Sequence, residues 1–289
     1  MAIKALACEL PAQTGVPLSR WSTRELAAAA TRSGLVAQIS GATIWRWLNE
    51  DAIRPWHFRS WIFPRDPAFA EKAGRVLDLY ARVWEGEALT EEDFVISTDE
   101  KTSIQARRRC HATLPPRPRA AMKLEHEYER CGAWAYLAAW DVFRAKVFGL
   151  CSATTGLEPF ARLVDQVMTQ PPYCEARRVF WIADNGSSHR GARSAERLSQ
   201  RYPNAILLHT PVHASWLNQI EIYFSIVQRK VLTPNDFSGN DEVAARLAAF
   251  ERHYESIARP FQWTFSRNDL AALLLRLNAD GPSPMRAAA

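Results

Sequence analysis

The chain has 289 residues, 47% of them apolar and 11% aromatic, with a formal net charge of +5. That composition supports one large core, or a small core beside a medium one, and excludes a disordered or fibrous chain. Its basic balance suits a polyanionic partner. Cys8, Cys110, Cys131, Cys151 and Cys174 are scattered with no CxxC pair, which argues against a disulfide framework or a zinc ribbon. No apolar run is long enough to span a bilayer and no signal peptide is evident, so a soluble cytoplasmic protein is predicted.

Taken in chain order, the first predicted element is a helix opening at Ser22-Thr23-Arg24-Glu25, a capping-box pattern, and stopping near Gly34. After a short turn Ser40 caps a second helix, with Ile44, Trp47 and Leu48 as its apolar stripe and Thr43 and Arg46 outward. Two short helices joined by a Gly-containing turn describe a helix-turn-helix, and Arg54, His57 and Arg59 follow it. An ordinary helical hairpin is the plainer alternative. The stretch AFAEKAGRVLDLYARVWEG reads as a helix, and EGEALTEED as an acidic linker.

The pattern then changes to strands. FVISTDE ends in Asp99 and Glu100, and GAWAYLAAWDV with AKVFGLCSA forms a hairpin turning near Asp141 to Arg144. Between them, Lys101 to Arg130 is dense in Lys and Arg and broken by Pro115, Pro116 and Pro118, so an exposed, poorly packed basic loop is predicted. A helix over 158–169 precedes the unbroken apolar strand RRVFWIAD, a polar helix, the strand AILLHT and a helix over 216–231. Val243, Leu247, Phe250, Tyr254 and Ile257 step by four and three, marking a further core helix.

Three acids occupy particular places in this order. Asp99 and Asp184 end strands, and Glu221 sits in the helix after the last strand. An acid near a helix start is often only a favourable partner for the free N–H groups. In a mixed α/β sheet, however, strands ending at one edge bring their last residues together. Two carboxylates about 4 Å apart repel by roughly 4 kcal/mol at an effective dielectric near 20. Convergence therefore asks for a proton or a cation. Hard oxygen ligands without nearby Cys or paired His point to Mg²⁺ or Mn²⁺, the ions of in-line phosphodiester chemistry.

The blocks ISTDEKTSIQA, WIADNGSSHRG and LLHTPVHASWLNQIEIYFSIVQRKVL resemble the catalytic blocks of bacterial insertion-sequence transposases of the mariner superfamily, insertion sequence 630 type. The resemblance implies an RNase H-like α/β domain, a mixed five-stranded sheet flanked by helices, after a small all-α helix-turn-helix module. It implies that Asp99, Asp184 and Glu221 form the catalytic, metal-ligating triad for two Mg²⁺ or Mn²⁺ ions. Asn185 and His189, from a DNxxxH pattern, and Asn218, from Asn-x-x-Glu, take supporting roles. The implied layout is a helix-turn-helix over 1–63 (the second of two, the first missing), a helical linker over 64–92 and the catalytic domain over 93–289. DNA contacts are expected from Thr43, Arg46, Arg54, Arg59, Arg107, Arg108 and Arg109. Expected partners are double-stranded DNA, at terminal inverted repeats and at TA targets, and a second copy of the chain clamped by the basic loop, in the bacterial cytoplasm near the nucleoid. A truncated copy that only binds DNA, or a stand-alone nuclease, are the competing expectations.

Overall fold

The computed structural model describes residues 2–58, 64–186 and 192–279. The chain divides into two compact units, 1–63 and 64–289.

The first unit packs three helices, α1 (Ala2–Cys8), α2 (Thr23–Arg32) and α3 (Gly41–Glu50), around Trp21, Leu26, Ala30, Ile44 and Leu48. Ser22 accepts from Glu25 N at 3.2 Å while Glu25 returns a carboxylate to Ser22 N at 2.8 Å, closing the capping box. Ser40 likewise accepts from Thr43 N at 3.1 Å. One correction concerns Trp47, which is 40% exposed rather than part of the buried stripe. Ile44 and Leu48, one turn apart, are the residues α3 buries, in a core shared with Trp21 and Leu26.

The second unit begins with α4 (Phe69–Tyr80), which buries Phe69, Ala73, Val76, Leu77 and Leu79. The helix stops earlier than its sequence suggests. Arg82 turns left-handed at φ 59°, and β1 (Val83–Trp84) then pairs with β2 (Glu87–Ala88). Glu85 and Gly86, both at positive φ, make the tight turn that such a hairpin requires. The expected acidic linker is therefore a small hairpin.

The central sheet holds β3 (Asp93–Arg108), β4 (Glu129–Asp141), β5 (Lys146–Ser152), β6 (Arg178–Ala183) and β7 (Ala205–His209) in the order β5-β4-β3-β6-β7. The strands β5, β4 and β3 run antiparallel, while β6 and β7 are parallel to β3. On one face α5 (Leu157–Met168) covers Phe94, Ile96, Val179 and Trp181. After α6 (Ala192–Arg201) and β7, helices α7 (Ile220–Lys230), α8 (Asn240–Glu255) and α9 (Arg267–Ala279) follow. The opposite face of the sheet buries Val95, Tyr136, Trp140, Phe180 and Ile182 in one core with Tyr223, Val227, Val243 and Leu270 from α7, α8 and α9. The alternation of β3 and β6 between these two cores fixes which residues of each strand face α7.

Three further expectations need correction. First, α8 ends at Glu255 and Ile257 is 63% exposed, so the apolar step of four and three outlasts the helix. Second, the helix expected over 216–231 begins only at Ile220, after a 3₁₀ turn over Ser215–Leu217 and an extended Asn218. Third, the basic loop is largely a β-arm. β3 and β4 continue their ladder to Arg107↔Arg130 and Arg108↔Glu129, with further bridges at Leu114↔Lys123 and Arg117↔Ala120. Asn235 accepts from Arg107 N at 3.0 Å and donates to Gln105 O at 2.7 Å, and Phe237 N donates to Arg107 O at 3.0 Å. The Asn235 side chain and the Phe237 backbone hold the arm where apolar side chains are few.

Candidate active site at the acidic edge of the sheet

β3 and β6 are in register up to Ser97↔Ile182. Asp99 and Asp184 each lie two residues beyond that pair. Val95 and Ile182 face α7, and side chains alternate, so Asp99 and Asp184 are on the α7 face as well. Asp99 does not end its strand, as β3 runs on to Arg108, but it lies just past the end of pairing with β6.

The start of α7 is fastened to β3 at this height. The buried Asn218 side chain donates to Thr98 O at 2.8 Å and its carbonyl oxygen accepts from Ser97 Oγ. Ile220 N donates to the same hydroxyl at 2.8 Å. From α4, Tyr80 Oη donates to Leu217 O at 2.8 Å and accepts from Gln219 N at 3.3 Å. Glu221, second residue of α7, is thereby carried to the edge of the sheet, in electrostatic range of Asp184. Its carboxyl is pushed above the usual range, first by burial and also by the negative charge of Asp184, while Lys101 acts in the other direction. Asp184 and Glu221 thus share one electrostatic site, with Lys101 in range.

The two aspartates also bond to their own backbone. Asp99 Oδ1 accepts from Glu100 N at 2.7 Å, and Asp184 Oδ1 accepts from Gly186 N at 2.6 Å. Among the described residues, no three His, Cys, Asp or Glu side chains are gathered as a ready-made metal cluster. The donor set nevertheless fits a hard divalent cation: carboxylate oxygens on neighbouring elements, and a solvent-accessible Glu221 whose charge repulsion with Asp184 a cation would relieve.

Asn185 donates to Thr210 O at 2.6 Å, tying the segment after β6 to the end of β7. His189 lies outside the described residues, as does Arg59. Arg46 and Arg54 are exposed, while the Thr43 hydroxyl is 3.0 Å from that of Ser40. The three arginines of the arm differ in their surroundings. Arg108 pairs with Glu129 at 2.6 Å, Arg109 bonds to the backbone oxygens of Glu125 and Asn235, and Arg107 stacks on Tyr128. Sequence reasoning missed Ser97 and Lys101. A lone hydroxyl in the apolar run FVIS was the available signal for the first. For Lys101 only strand register shows that it shares the face of Asp99.

Replacing Asn218 by Ala removes the bonds to Thr98 O and Ser97 Oγ inside a buried site. The expected cost is about 2 kcal/mol, read as a lower urea midpoint with unchanged slope. A midpoint equal to that of the parent would show that this junction does not hold α7.

A mixed sheet of this order, covered on both faces and edged by carboxylates, defines an RNase H-like nuclease domain. The DDE superfamily endonuclease family matches residues 95–244, just over half of the chain, and the chain belongs to that family. Solved structures agree on the fold. The Mos1 mariner paired-end complex with Mn is similar with a TM-score of 0.52 at 13% identity, over 91% of this chain and 75% of that one. A pre-cleavage Mos1 transpososome is similar with a TM-score of 0.51 at 12% identity, over 96% and 76% of the two chains. The Mos1 paired-end complex with Mg gives a TM-score of 0.51 at 13% identity, over 96% and 75%. No curated protein matches the sequence.

Proposed function

We propose that the protein is a DNA transposase of the mariner superfamily, of the bacterial insertion-sequence type, that cuts phosphodiester bonds at element ends and joins the freed 3′-OH to target DNA. The observation that carries this reading is the junction at the acidic edge: Asn218 locks the start of α7, which bears Glu221, to the strand bearing Asp99. Family membership supports endonuclease chemistry. The similar Mos1 structures are DNA-end complexes, two of them with Mn or Mg, and this supports DNA as substrate and a divalent cation as cofactor.

In this reading Asp99, Asp184 and Glu221 hold Mg²⁺ or Mn²⁺, two ions in all. The bound cation supplies Lewis-acid polarisation of the phosphate and a lowered pKa for the attacking hydroxyl. In hydrolysis a water oxygen bonds to phosphorus as the P–O3′ bond breaks and the 3′ oxygen leaves as a hydroxyl. In joining, that 3′-OH attacks a target phosphodiester and displaces a second 3′ oxygen. Asn218 and Ser97 hold Glu221 at the edge, and Asn185 fixes the segment after Asp184.

The first unit, 1–63, acts as the DNA-binding module, with Thr43 on α3 and with Arg46, Arg54 and Arg59 at phosphates. The basic arm, with Arg107, Arg108 and Arg109, serves assembly of two chains on paired ends at inverted repeats, with TA as the target.

The test uses the full chain and a labelled duplex carrying the gene's own flanks. Nicking at the element boundary is expected with Mn²⁺ or Mg²⁺ and not in EDTA. Bound duplex that is never cut with either ion would refute the reading. Replacing Arg46 and Arg54 together is expected to lower the slope of log affinity against log salt by about two units.

A further inference from the structure

A pocket of about 430 Å³ opens between the outer half of β3 and the C-terminal end of α7. Its wall includes Lys101, Ser103, Gln105 and Arg107 from β3, with Gln228 and Thr233 opposite, and among the described residues no carboxylate lines it. The β3–β4 ladder shifts register between Lys101 and Ile104 and again between Gln105 and Arg107, with Ser103 at φ 58°. Such bulges bend a strand away from its partner, and here they make room for the pocket.

Two buried polar atoms on this wall make no hydrogen bond within the protein, Gln105 Oε1 and Arg107 Nε. Arg109 spends its guanidinium on backbone oxygens and Arg108 on Glu129. Arg107 lies over Tyr128, its guanidinium carbon 4.6 Å from the ring centre, and its unmatched Nε is available to an acceptor. Buried donors and acceptors left unmatched cost roughly 1–3 kcal/mol each, so a site that keeps both is suited to a ligand that matches them. That ligand carries an anionic acceptor and an N–H donor, and fits the size range of roughly 300–1,000 Å³ typical of small-ligand sites.

We propose that this pocket is a nucleotide subsite, holding one nucleotide of the DNA strand that runs along β3 to the carboxylates. Its phosphate meets Arg107, a neighbouring phosphate nearer the carboxylates meets Lys101, and the exocyclic amine of an adenine or cytosine meets Gln105. The inference rests on the DNA reading above. Lys101 is two residues from Asp99, about 7 Å along the strand, and Gln105 is about 20 Å away. A strand seated there is within a few nucleotides of the cutting site.

The experiment measures fluorescence anisotropy of the full chain in EDTA with labelled twelve-nucleotide single strands of dA or dT. Arg107→Gln is expected to weaken binding about tenfold and to lower the salt slope by about 0.7. Gln105→Leu is expected to reduce a preference for dA, whose exocyclic amine offers two N–H donors, over dT, which offers one ring N–H. Arg162→Gln, on the exposed side of α5, is the reference. Pocket variants that match this reference in affinity and in dA preference overturn the subsite, as does free dAMP competing as well as the oligonucleotide. For independence from variant folding, a 4-thiothymidine strand is crosslinked to the unaltered chain. Adducts within 101–109 or 228–235 support the pocket, and adducts confined elsewhere overturn it. A parent chain that binds neither duplex nor single strand would instead bring down the DNA reading itself.

Discussion

Asp184→Asn is expected to lower metal-dependent cleavage roughly a thousandfold or more, since a bound cation stabilises the transition state by several kcal/mol. The substitution is close to isosteric. Asp184 Oδ1 accepts from Gly186 N at 2.6 Å, and the amide oxygen of Asn can keep that bond. Loss of activity would then report loss of charge rather than a collapsed loop. Stability should move the other way, because Asp184 raises the pKa of Glu221 by like-charge repulsion. The variant is expected to bind DNA as the parent does and to melt no lower. Cleavage within threefold of the parent rate would remove Asp184 from the ligand set.

A second large effect is expected at the other end of the same strand pair. Asp93 and Arg178 are register partners, and the guanidinium donates to both carboxylate oxygens at 2.8 and 3.0 Å. Thr90 adds bonds to the same carboxylate from its N–H and its hydroxyl at 2.9 and 3.0 Å. The Asp93 side chain is wholly buried, so Asp93→Asn leaves a cation facing a neutral amide, at an expected cost of about 3 kcal/mol. The Arg178 bonds are the largest favourable influence on Asp93 and hold its pKa down at about 2, from an ordinary 3.8. A depressed carboxylate pKa stabilises the fold above the ordinary value and loses that contribution as pH falls towards 2. The gap between parent and variant in urea midpoint should therefore be full at pH 7 and shrink steadily below pH 4. A gap of the same size at pH 7 and at pH 2.5 would show that the ion pair is not its source.

Much of the scaffold is legible in the sequence because local signals and tertiary packing agree. Ser22 with Glu25 marks the start of α2, and the unbroken run Val179–Ala183 gives a strand buried on both faces. Legibility fails where backbone geometry decides. Left-handed Arg82 and Glu85 end α4 and fold a hairpin that composition alone presents as a linker. In the arm, ladder bonds and Asn235 order a segment whose side chains read as solvated charge. Trp47 looks apolar enough for the core, yet Trp21 and Leu26 already fill it. At the candidate site, Glu221 and Asp184 stand out by type and position. Ser97 and Lys101 become visible only through register and through the break at Asn218, which frees that side chain to bond to the sheet.

The most direct measurement of the central claim is Mn²⁺ binding by the full chain, read from loss of the free-ion electron paramagnetic resonance signal. Competition with Mg²⁺ sets the specificity, and no DNA or turnover is needed. The parent is expected to bind Mn²⁺ at a site displaced by Mg²⁺. Asp99→Asn, Asp184→Asn and Glu221→Gln are each expected to weaken that binding about tenfold or more, with folding intact by circular dichroism. Mn²⁺ affinity in all three variants equal to that of the parent would contradict the assignment of these carboxylates as the metal-holding edge.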